Sequence, residues 1–408
     1  MKLILAVFSW ALLFGPAAWG ETSRRAAQFY NDGDTIETLE NNGPRYVIKS
    51  LLGSGTFGTV YLVDAFEGEL SRGTRAVKLL PLELDPTGKR WLMPQNGYDR
   101  VTAATGGKVP ASLMPFNPER YTAVIRTSKG TRSRAFRAIE MDVADESAAV
   151  SREFRLSGKM SPAEFSTRVT NSEHFLANAL TAIGDLAALG LTHGDVKPAN
   201  FLAVKVGNEV HWKLGDLDGV RPFGSVSQLN VLTASPEQLR GYSTSASDAF
   251  GVAASLFKEM FGQFPAAQYL IEHSDNGKLP SSHLKLSEAL KDLYGSEEKM
   301  AALQAIIRDR FENFETRYPA EAARLGGLRD FIIAGLDPYP RRRAHGLGKL
   351  PVAAEWAQRS QGFHFDFEIL SQFCGYLYRH IGLPPFIRRS INSAPPIALP
   401  TELPNVAY

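Results

Sequence analysis

Two neighbouring stretches decide the expected fold: His193-Gly194-Asp195-Val196-Lys197-Pro198-Ala199-Asn200-Phe201-Leu202, and Lys213-Leu214-Gly215-Asp216-Leu217-Asp218-Gly219. The apolar runs at 201–204 and 210–214 have the composition of β-strands, and Gly207-Asn208 between them is a turn sequence. The spacing therefore predicts a short hairpin that brings Asn200 and Asp216 to adjacent strand ends. A polar loop between two strands is the simpler alternative, but it leaves the spacing of the acidic, basic and amide residues unexplained.

A glycine-rich turn lies upstream, where Gly53, Gly55 and Gly58 follow the pattern G-x-G-x-x-G-x-V that ends at Val60. A lone pattern of this kind is weak, because it also opens dinucleotide-binding units. Here a β-rich run follows the glycines, so we expect two strands joined by a turn whose backbone amides can approach phosphates. A simple hairpin turn is the alternative. A strand-like A-x-K segment then places Lys78 twenty residues after Gly58.

In this order the motifs resemble those of the eukaryotic protein-kinase superfamily, from about residue 45 to residue 355. The resemblance implies an α+β bilobal protein-kinase fold, with a small β-rich N-lobe over 46–144 and a larger helical C-lobe over 145–360. It also implies ATP and Mg²⁺ as cofactors and a protein hydroxyl as the phosphoryl acceptor. Lys197 in D-x-K-x-x-N resembles the serine/threonine class.

The same resemblance implies roles for single residues. Asp195 is expected to accept the proton of the substrate hydroxyl, and Lys197 to neutralise charge on the transferred phosphoryl. Asn200 and Asp216 are expected to hold Mg²⁺ through hard oxygen ligands. The residues expected to contact the nucleotide are Gly53, Gly55, Gly58, Val60, Lys78 and, before the hinge at 142–145, Glu140 and Met141. The gatekeeper is Ile139 or Met141, and the sequence does not choose between them.

Later segments continue the pattern. Apolar positions over 172–190 recur at helical spacing and predict a core helix. The run that ends at Glu237 resembles the A-P-E anchor, with Ser235 in place of alanine. The next apolar segment predicts a buried helix opened by Asp248, a residue that in kinases braces the catalytic loop. The resemblance pairs Arg341 with the anchor glutamate, and a solvated basic run is the alternative.

Composition and charge limit the class of protein. The 408 residues include 45 Lys plus Arg against 43 Asp plus Glu, which gives a formal net charge of +2 and no basis for expecting nucleic acid as a partner. Residues 1–20 combine a basic start, an apolar run and small residues, as in a cleavable signal peptide. A signal anchor is the alternative, and no stable membrane span is expected. Cys374 is the only cysteine, which excludes an intrachain disulfide.

The expected organisation follows from these features. Residues 21–45 are polar and predict a loosely attached arm, the kinase domain covers 46–360, and residues 361–408 form a proline-rich C-terminal extension. With its signal peptide and its His193-Gly194-Asp195 motif, the chain looks like the secreted rhoptry kinases of coccidian parasites. That resemblance implies the secretory pathway, rhoptry organelles, and release into a host cell or parasite vacuole with a host-cell protein as substrate. Bacterial and other secreted kinases are the alternative.

Three features depart from the kinase pattern. Gly194 replaces an arginine that usually grips a phosphate in the activation segment, so control by phosphorylation there is not expected. Asp218 stands where the metal-binding motif usually has glycine, and it adds a carboxylate beside Asp216. Residues 85–118 contain no glutamate to pair with Lys78. The remaining candidates for that partner are poor: Glu83, Asp99 and Glu119.

Three classes of function follow from this pattern. An active secreted serine/threonine kinase is favoured because the principal catalytic residues are present. A pseudokinase that binds nucleotide or partner proteins as a scaffold is favoured by the missing helix glutamate and by Asp218. A small-molecule kinase on a related fold agrees less well, since such enzymes usually lack both the anchor at Glu237 and the acidic helix after it.

Overall fold

The N-terminal strands form because apolar residues recur at every second position. In the computed structural model, Tyr46 and Ile48 of β2 (Arg45–Ser54) are fully buried, and Val63 of β3 (Thr59–Glu67) lies beside them. The residues between them on each strand are more exposed. The structure describes residues 30–54, 58–84, 91–92, 96–119, 121–130, 133, 135–157, 159–207, 209–224 and 230–361.

Six antiparallel strands close into a barrel. In order around the wall they are β1 (Thr35–Thr38), β2, β3, β4 (Leu70–Pro81), β8 (Phe136–Met141) and β7 (Tyr121–Arg126). Alternate side chains of these strands fill the barrel, among them Tyr61, Val77 and Ala138. The opposite face of β4 and β8 carries Lys78 and Ile139, which are cross-strand partners.

Strand β1 corrects the expected boundary of the ordered region. It pairs with β2 through Ile36 and Tyr46 and with β7 through Ile36 and Ile125, and so closes the barrel. Ile36 is fully buried. The prediction of a loosely attached arm over 21–45 is therefore wrong for residues 35–38. The polar neighbours of this short strand hid it, because only every second residue of a barrel strand faces the interior.

Between β4 and β7 lie β5 (Glu83–Leu84) and β6 (Trp91–Leu92), which pair with each other, and helix α1 (Gly97–Thr105). Asn96 begins the helix: its side chain accepts a hydrogen bond from the Asp99 N–H at 3.2 Å, and the Asp99 carboxylate accepts one from the Asn96 N–H at 3.1 Å. Gly106, at φ 61°, ends it. The glycines and prolines of this region thus bound a helix of nine residues.

The C-terminal part is mostly helical and packs around two long helices, α2 (Pro162–Ala188) and α3 (Ser245–Phe261). Both helices were predicted from the sequence, and the observed bounds of α3 lie within two residues of the predicted ones. Helix α2 begins ten residues before the predicted start, because Ser161 caps it by accepting a hydrogen bond from the Glu164 N–H at 3.2 Å. The first turns of α2 are largely polar, so apolar periodicity did not mark them.

The predicted hairpin is confirmed. Strands β11 (Phe201–Val206) and β12 (Glu209–Leu214) pair in the register Phe201–Leu214, and β9 (Glu146–Ser147) adds to the edge of β11. Two further short strands pair with each other: β10 (Leu191–Thr192) and β13 (Arg221–Pro222).

Six more helices complete the described part. They are α4 (Pro265–Glu272), α5 (His283–Gly295), α6 (Glu297–Arg317), α7 (Ala322–Gly335), α8 (Pro340–Gly348) and α9 (Ala354–Gln361). The architecture is thus mixed α/β with a small β-rich part and many helices, which confirms the expected class at this level. The closure of the barrel was not expected.

No helix among the described residues combines the length and apolarity that a membrane crossing requires. The predicted signal peptide at 1–20, Gly55, Asn208, Cys374 and nearly all of the predicted C-terminal extension lie outside the described residues.

Candidate functional site

The loop between β10 and β11 holds Asp195 and Lys197 side by side. The Lys197 ammonium lies 2.5 Å from Oδ2 of Asp195, and the backbone N–H of Asn230 donates to Oδ1 of the same carboxylate at 3.2 Å. Both charged side chains are partly buried. A base and a cation of this kind, aimed at one small volume, could accept a proton from a hydroxyl and offset negative charge beside it.

Asp248 anchors this loop from the first turn of α3. Its carboxylate accepts hydrogen bonds from the backbone N–H groups of His193 at 2.7 Å and Gly194 at 2.9 Å, and from the Thr192 hydroxyl at 2.9 Å. This is the brace that the resemblance implied. Burial raises the pKa of Asp248, and these donors together with His193 only partly offset that effect. Gly194 adopts φ 79°, a backbone conformation that a residue with a side chain would reach only with strain.

His193 connects the loop to the acidic turn after β12. Its Nδ1 lies 3.3 Å from the Asp195 N–H, which makes that nitrogen the acceptor, and its Nε2 lies 2.9 Å from the Gly215 carbonyl and therefore donates. The ring is fully buried. One side chain thus links the loop of Asp195 to the turn that carries Asp216.

Asn200 and Asp216 come together as the hairpin predicted. The Asn200 amide N–H donates to the Asp195 carbonyl at 2.8 Å, and the Gly215 N–H donates to the Asn200 carbonyl at 2.8 Å. The side-chain nitrogen of Asn200 is therefore occupied, while its side-chain oxygen accepts no hydrogen bond from a described residue. Asp216 adopts the left-handed conformation, with φ 56° and ψ 55°, and its side chain is 36% exposed. An amide oxygen and an accessible carboxylate fit the hard ligand set that Mg²⁺ requires.

Lys78 reaches this turn from the barrel. Its ammonium lies 2.5 Å from Oδ1 of Asp216 and 2.6 Å from Oδ2 of Asp218. Burial by itself lowers the pKa of Lys78, but Tyr98 and the carboxylates of Asp216 and Asp218 outweigh burial and raise it, so the lysine is charged. The lysine and the acid that the sequence assigned to one site therefore meet in the structure.

The two carboxylates have pKa values that are shifted in opposite directions. Burial raises the pKa of Asp218, and the charge of Asp216 adds to that effect beyond what Lys78 offsets. Burial acts in the same direction on Asp216, but Lys78, Lys197 and His193 together lower its pKa. Asp216 is thus the carboxylate that stays ionised most readily, as a cation ligand must.

The Lys78 partner that sequence reasoning missed is Asp218. Asp99, on α1, instead forms a doubly hydrogen-bonded ion pair with Arg137 of β8, at 2.6 and 2.7 Å, and both residues are buried. Glu119 is exposed, and the side chain of Glu83 lies outside the described residues. Asp218 was visible in the sequence as a departure from glycine, but nothing there indicated that it faces a lysine on β4.

The glycine-rich turn is described at its two ends. Gly53 pairs with Val60 at the end of β2, and Val60 in turn pairs with Lys78. Gly58 is needed for close packing, because a Cβ atom there would lie 2.3 Å from the Leu79 carbonyl oxygen. Val60 therefore lies in the strand next to Lys78, and Gly53 lies one strand further along the barrel wall.

Glu140 and Met141 lie at the end of β8. The Glu140 side chain contacts the Tyr46 hydroxyl at 2.9 Å and Arg72 at 3.2 Å, and its carbonyl accepts a hydrogen bond from the Asn117 N–H at 2.8 Å. The Met141 sulfur lies 3.6 Å from the Tyr98 hydroxyl. The side chain and the backbone carbonyl of Glu140 thus already have partners, and the register places Ile139 directly opposite Lys78.

The anchor glutamate pairs with Arg343, so the predicted pairing with Arg341 is wrong. Arg343 Nη1 and Nη2 lie 2.6 and 3.2 Å from the two Glu237 oxygens, and both side chains are fully buried. Helix α8 begins at Pro340, and residues two apart on a helix face different sides. Arg341 is exposed for that reason.

No protein-family model matches the chain, and no curated protein matches it either.

Proposed function

We propose that the protein is a serine/threonine protein kinase with a bilobal kinase fold, which transfers the γ-phosphoryl group of ATP to a protein hydroxyl with Mg²⁺. One observation carries the proposal. Lys78 from the barrel lies 2.5 Å from Asp216, on the turn that His193 links to the loop of Asp195. A cation from one part and acids from the other thus line a single site, which is what phosphoryl transfer requires.

Each residue has one task in this proposal. Lys78 binds phosphate oxygens of the nucleotide, and Asn200 and Asp216 hold the metal through oxygen atoms. When bound there, Mg²⁺ would neutralise negative charge on the nucleotide phosphates. Asp195 accepts the proton of the attacking hydroxyl, and Lys197, 2.5 Å from it, offsets charge on the moving group. His193 and Asp248 keep Asp195 in position and touch no reacting atom.

The experiment compares ATP turnover by the purified protein and by Asp195→Ala, with Mg²⁺ varied. The wild type is expected to phosphorylate a generic protein substrate such as casein or myelin basic protein, or itself. Asp195→Ala is expected to lose at least about 100-fold in rate, since general-base catalysis contributes on the order of 10²–10⁴-fold. Equal background rates in both proteins would reject the proposal.

A pseudokinase that binds nucleotide without turnover is the second candidate. Its support is that the charged groups already have partners: Lys78 contacts two carboxylates, and Asp195 contacts Lys197 and the Asn230 N–H. Thermal stabilisation by ATP without any turnover would favour this candidate over the enzyme.

We also propose that residues 1–20 direct the protein into the secretory pathway. The resemblance to rhoptry kinases implies that its substrate is a host-cell protein. Amino-terminal sequencing of protein secreted from a eukaryotic expression host tests the first point. A mature chain that starts near Glu21 supports cleavage, and an intact Met1 terminus contradicts it.

A further inference from the structure

Asp218 and Asp216 hold Lys78 from one short turn, but they differ in their access to solvent. The side chain of Asp218 is 4% exposed, against 36% for Asp216. Neither Asp218 oxygen accepts a well-aligned hydrogen bond from a described residue, so the Lys78 ammonium at 2.6 Å is its counter-charge. A buried carboxylate in contact with a cation is costly to separate from that cation.

Helix α1 offers Lys78 no acid of its own. Its acidic residue, Asp99, is bound to Arg137 at 2.6 Å. The helix instead packs by backbone contact against the acidic turn: a Cβ atom on Gly97 would lie 1.6 Å from the Leu217 carbonyl oxygen. The Arg100 guanidinium also donates to the Val220 carbonyl at 3.3 Å. Helix α1 therefore contacts the turn that holds Lys78, without contributing an acidic side chain to it.

We infer that Asp218 is the positioning residue that holds Lys78 towards the nucleotide phosphates, in place of a glutamate from a helix, and that Asp216 is the exchangeable partner that turns to Mg²⁺. This inference rests on the proposed function. An ammonium group has three N–H donors. When Asp216 ligates the metal, Lys78 keeps its ion pair with Asp218, and its N–H donors become available for phosphate oxygens.

In this arrangement the placement of Lys78 does not depend on an acidic residue of helix α1. The lysine partner and the metal ligand are two residues apart on the same turn, so the orientation of α1 does not decide whether Lys78 is correctly placed. The Asp99–Arg137 pair fixes α1 to β8 independently. Helix α1 thus supports the turn, while residues 216–218 supply the carboxylates that hold Lys78.

The first experiment measures kcat, KM for ATP and the Mg²⁺ concentration that gives half-maximal rate, for wild type, Asp218→Asn and Asp99→Asn. In Asp218→Asn, Asp216 is the carboxylate that remains beside Lys78, so Lys78 and the metal compete for Asp216. The half-saturating Mg²⁺ concentration is therefore expected to rise, and kcat/KM to fall about 10- to 100-fold, the usual effect of losing a residue that supports a metal site.

Asp99→Asn is the matched control, because it removes an equally buried carboxylate that does not touch Lys78. It is expected to lower the melting temperature and to leave the half-saturating Mg²⁺ concentration unchanged. Wild-type Mg²⁺ dependence and kcat/KM in Asp218→Asn would overturn the inference. So would a raised Mg²⁺ requirement in Asp99→Asn alone.

A second measurement needs no catalytic activity. The acylation rate of Lys78 by an amine-reactive reagent is followed by mass spectrometry, without nucleotide and under conditions where circular dichroism shows each variant folded. Lys78 is expected to react severalfold faster in Asp218→Asn than in wild type, and at the wild-type rate in Asp99→Asn. Equal rates in wild type and Asp218→Asn reject the inference. Absence of both ATP binding and turnover in wild type rejects the proposed function instead.

Discussion

At the scale of single residues, several buried charged side chains have partners from distant parts of the chain. Lys78 and Asp216 are 138 residues apart in sequence, and Glu237 and Arg343 are 106 apart. In the second pair, the Ser247 hydroxyl also donates to Glu237 at 2.7 Å.

Replacement of Arg343 should be far more costly than replacement of its neighbour. Arg343→Ala leaves Glu237 as a buried, unpaired carboxylate, so we expect a loss of about 3–5 kcal/mol in the free energy of unfolding. Arg341→Ala, on the exposed side of the same helix, should stay within about 0.5 kcal/mol of wild type. Urea denaturation of both variants measures the difference, and similar losses would contradict the assigned pairing.

The Glu237 carboxyl also predicts how stability depends on pH. Burial raises its pKa, but Arg343 and the Ser247 hydroxyl outweigh burial, so the folded-state pKa lies below the ordinary 4.5. Its contribution to stability is therefore complete above pH 4.5 and is lost as the pH falls through the folded-state value. The stability difference between wild type and Glu237→Gln, measured by denaturation from pH 7 to pH 3, should shrink only below that pH. A constant difference would contradict this assignment.

At the scale of elements, strand β1 shows how a short segment can complete a large structure. It pairs on both sides and so removes the exposed edges that β2 and β7 would otherwise present. Ile36 fills the barrel from this strand, while Glu37 points outward and contacts Arg126 at 2.7 Å. Closure of the barrel therefore depends on four residues of a segment whose composition is polar.

Truncation of Ile36 tests this closure. Because the side chain is fully buried, Ile36→Ala should lower the free energy of unfolding by about 2–5 kcal/mol. Leu39→Ala, just after the strand and 43% exposed, is the control and should change stability by less than about 0.5 kcal/mol. Chemical denaturation gives both values. A small effect of Ile36→Ala would show that β1 is not an integral part of the barrel.

At the scale of the whole molecule, the barrel and the helical part contribute different halves of the candidate site. Lys78 comes from β4, while the loop of Asp195 and the turn of Asp216 follow β10 and β12. Each of the three residues is held by regular structure. Lys78 lies within a paired barrel strand, Asp248 of α3 holds the loop of Asp195, and Asp216 follows directly after the hairpin. A ligand that binds all three must therefore stabilise both parts at once.

MgATP is expected to stabilise the protein, and the effect should require Lys78. At about 100 times Kd, binding to the folded state contributes roughly 2.7 kcal/mol, which raises the melting temperature. Lys78→Met should abolish most of that rise, whereas Lys49→Met, an exposed lysine of the same barrel, should preserve it. Thermal denaturation with and without MgATP provides the measurement, and an undiminished rise in Lys78→Met would contradict the proposed nucleotide site.

The sequence by itself determined the local features of this protein. The hairpin that joins Asn200 to Asp216, the long helices and the position of Asp248 follow from spacing and periodicity, because they depend on residues close together in the chain. These features position the loop of Asp195 and the turn of Asp216, whereas the contact between Lys78 and Asp216 that carries the proposed function joins residues 138 apart in sequence.

Only the tertiary structure decided which distant groups meet. It paired Lys78 with Asp218, Asp99 with Arg137 and Glu237 with Arg343, and it placed β1 between β2 and β7. None of these contacts has a local signature, since a lysine in a strand is compatible with any acid that the packing brings near it. Burial makes each of these pairs important for stability, because a buried charge without its partner destabilises the folded state by several kcal/mol.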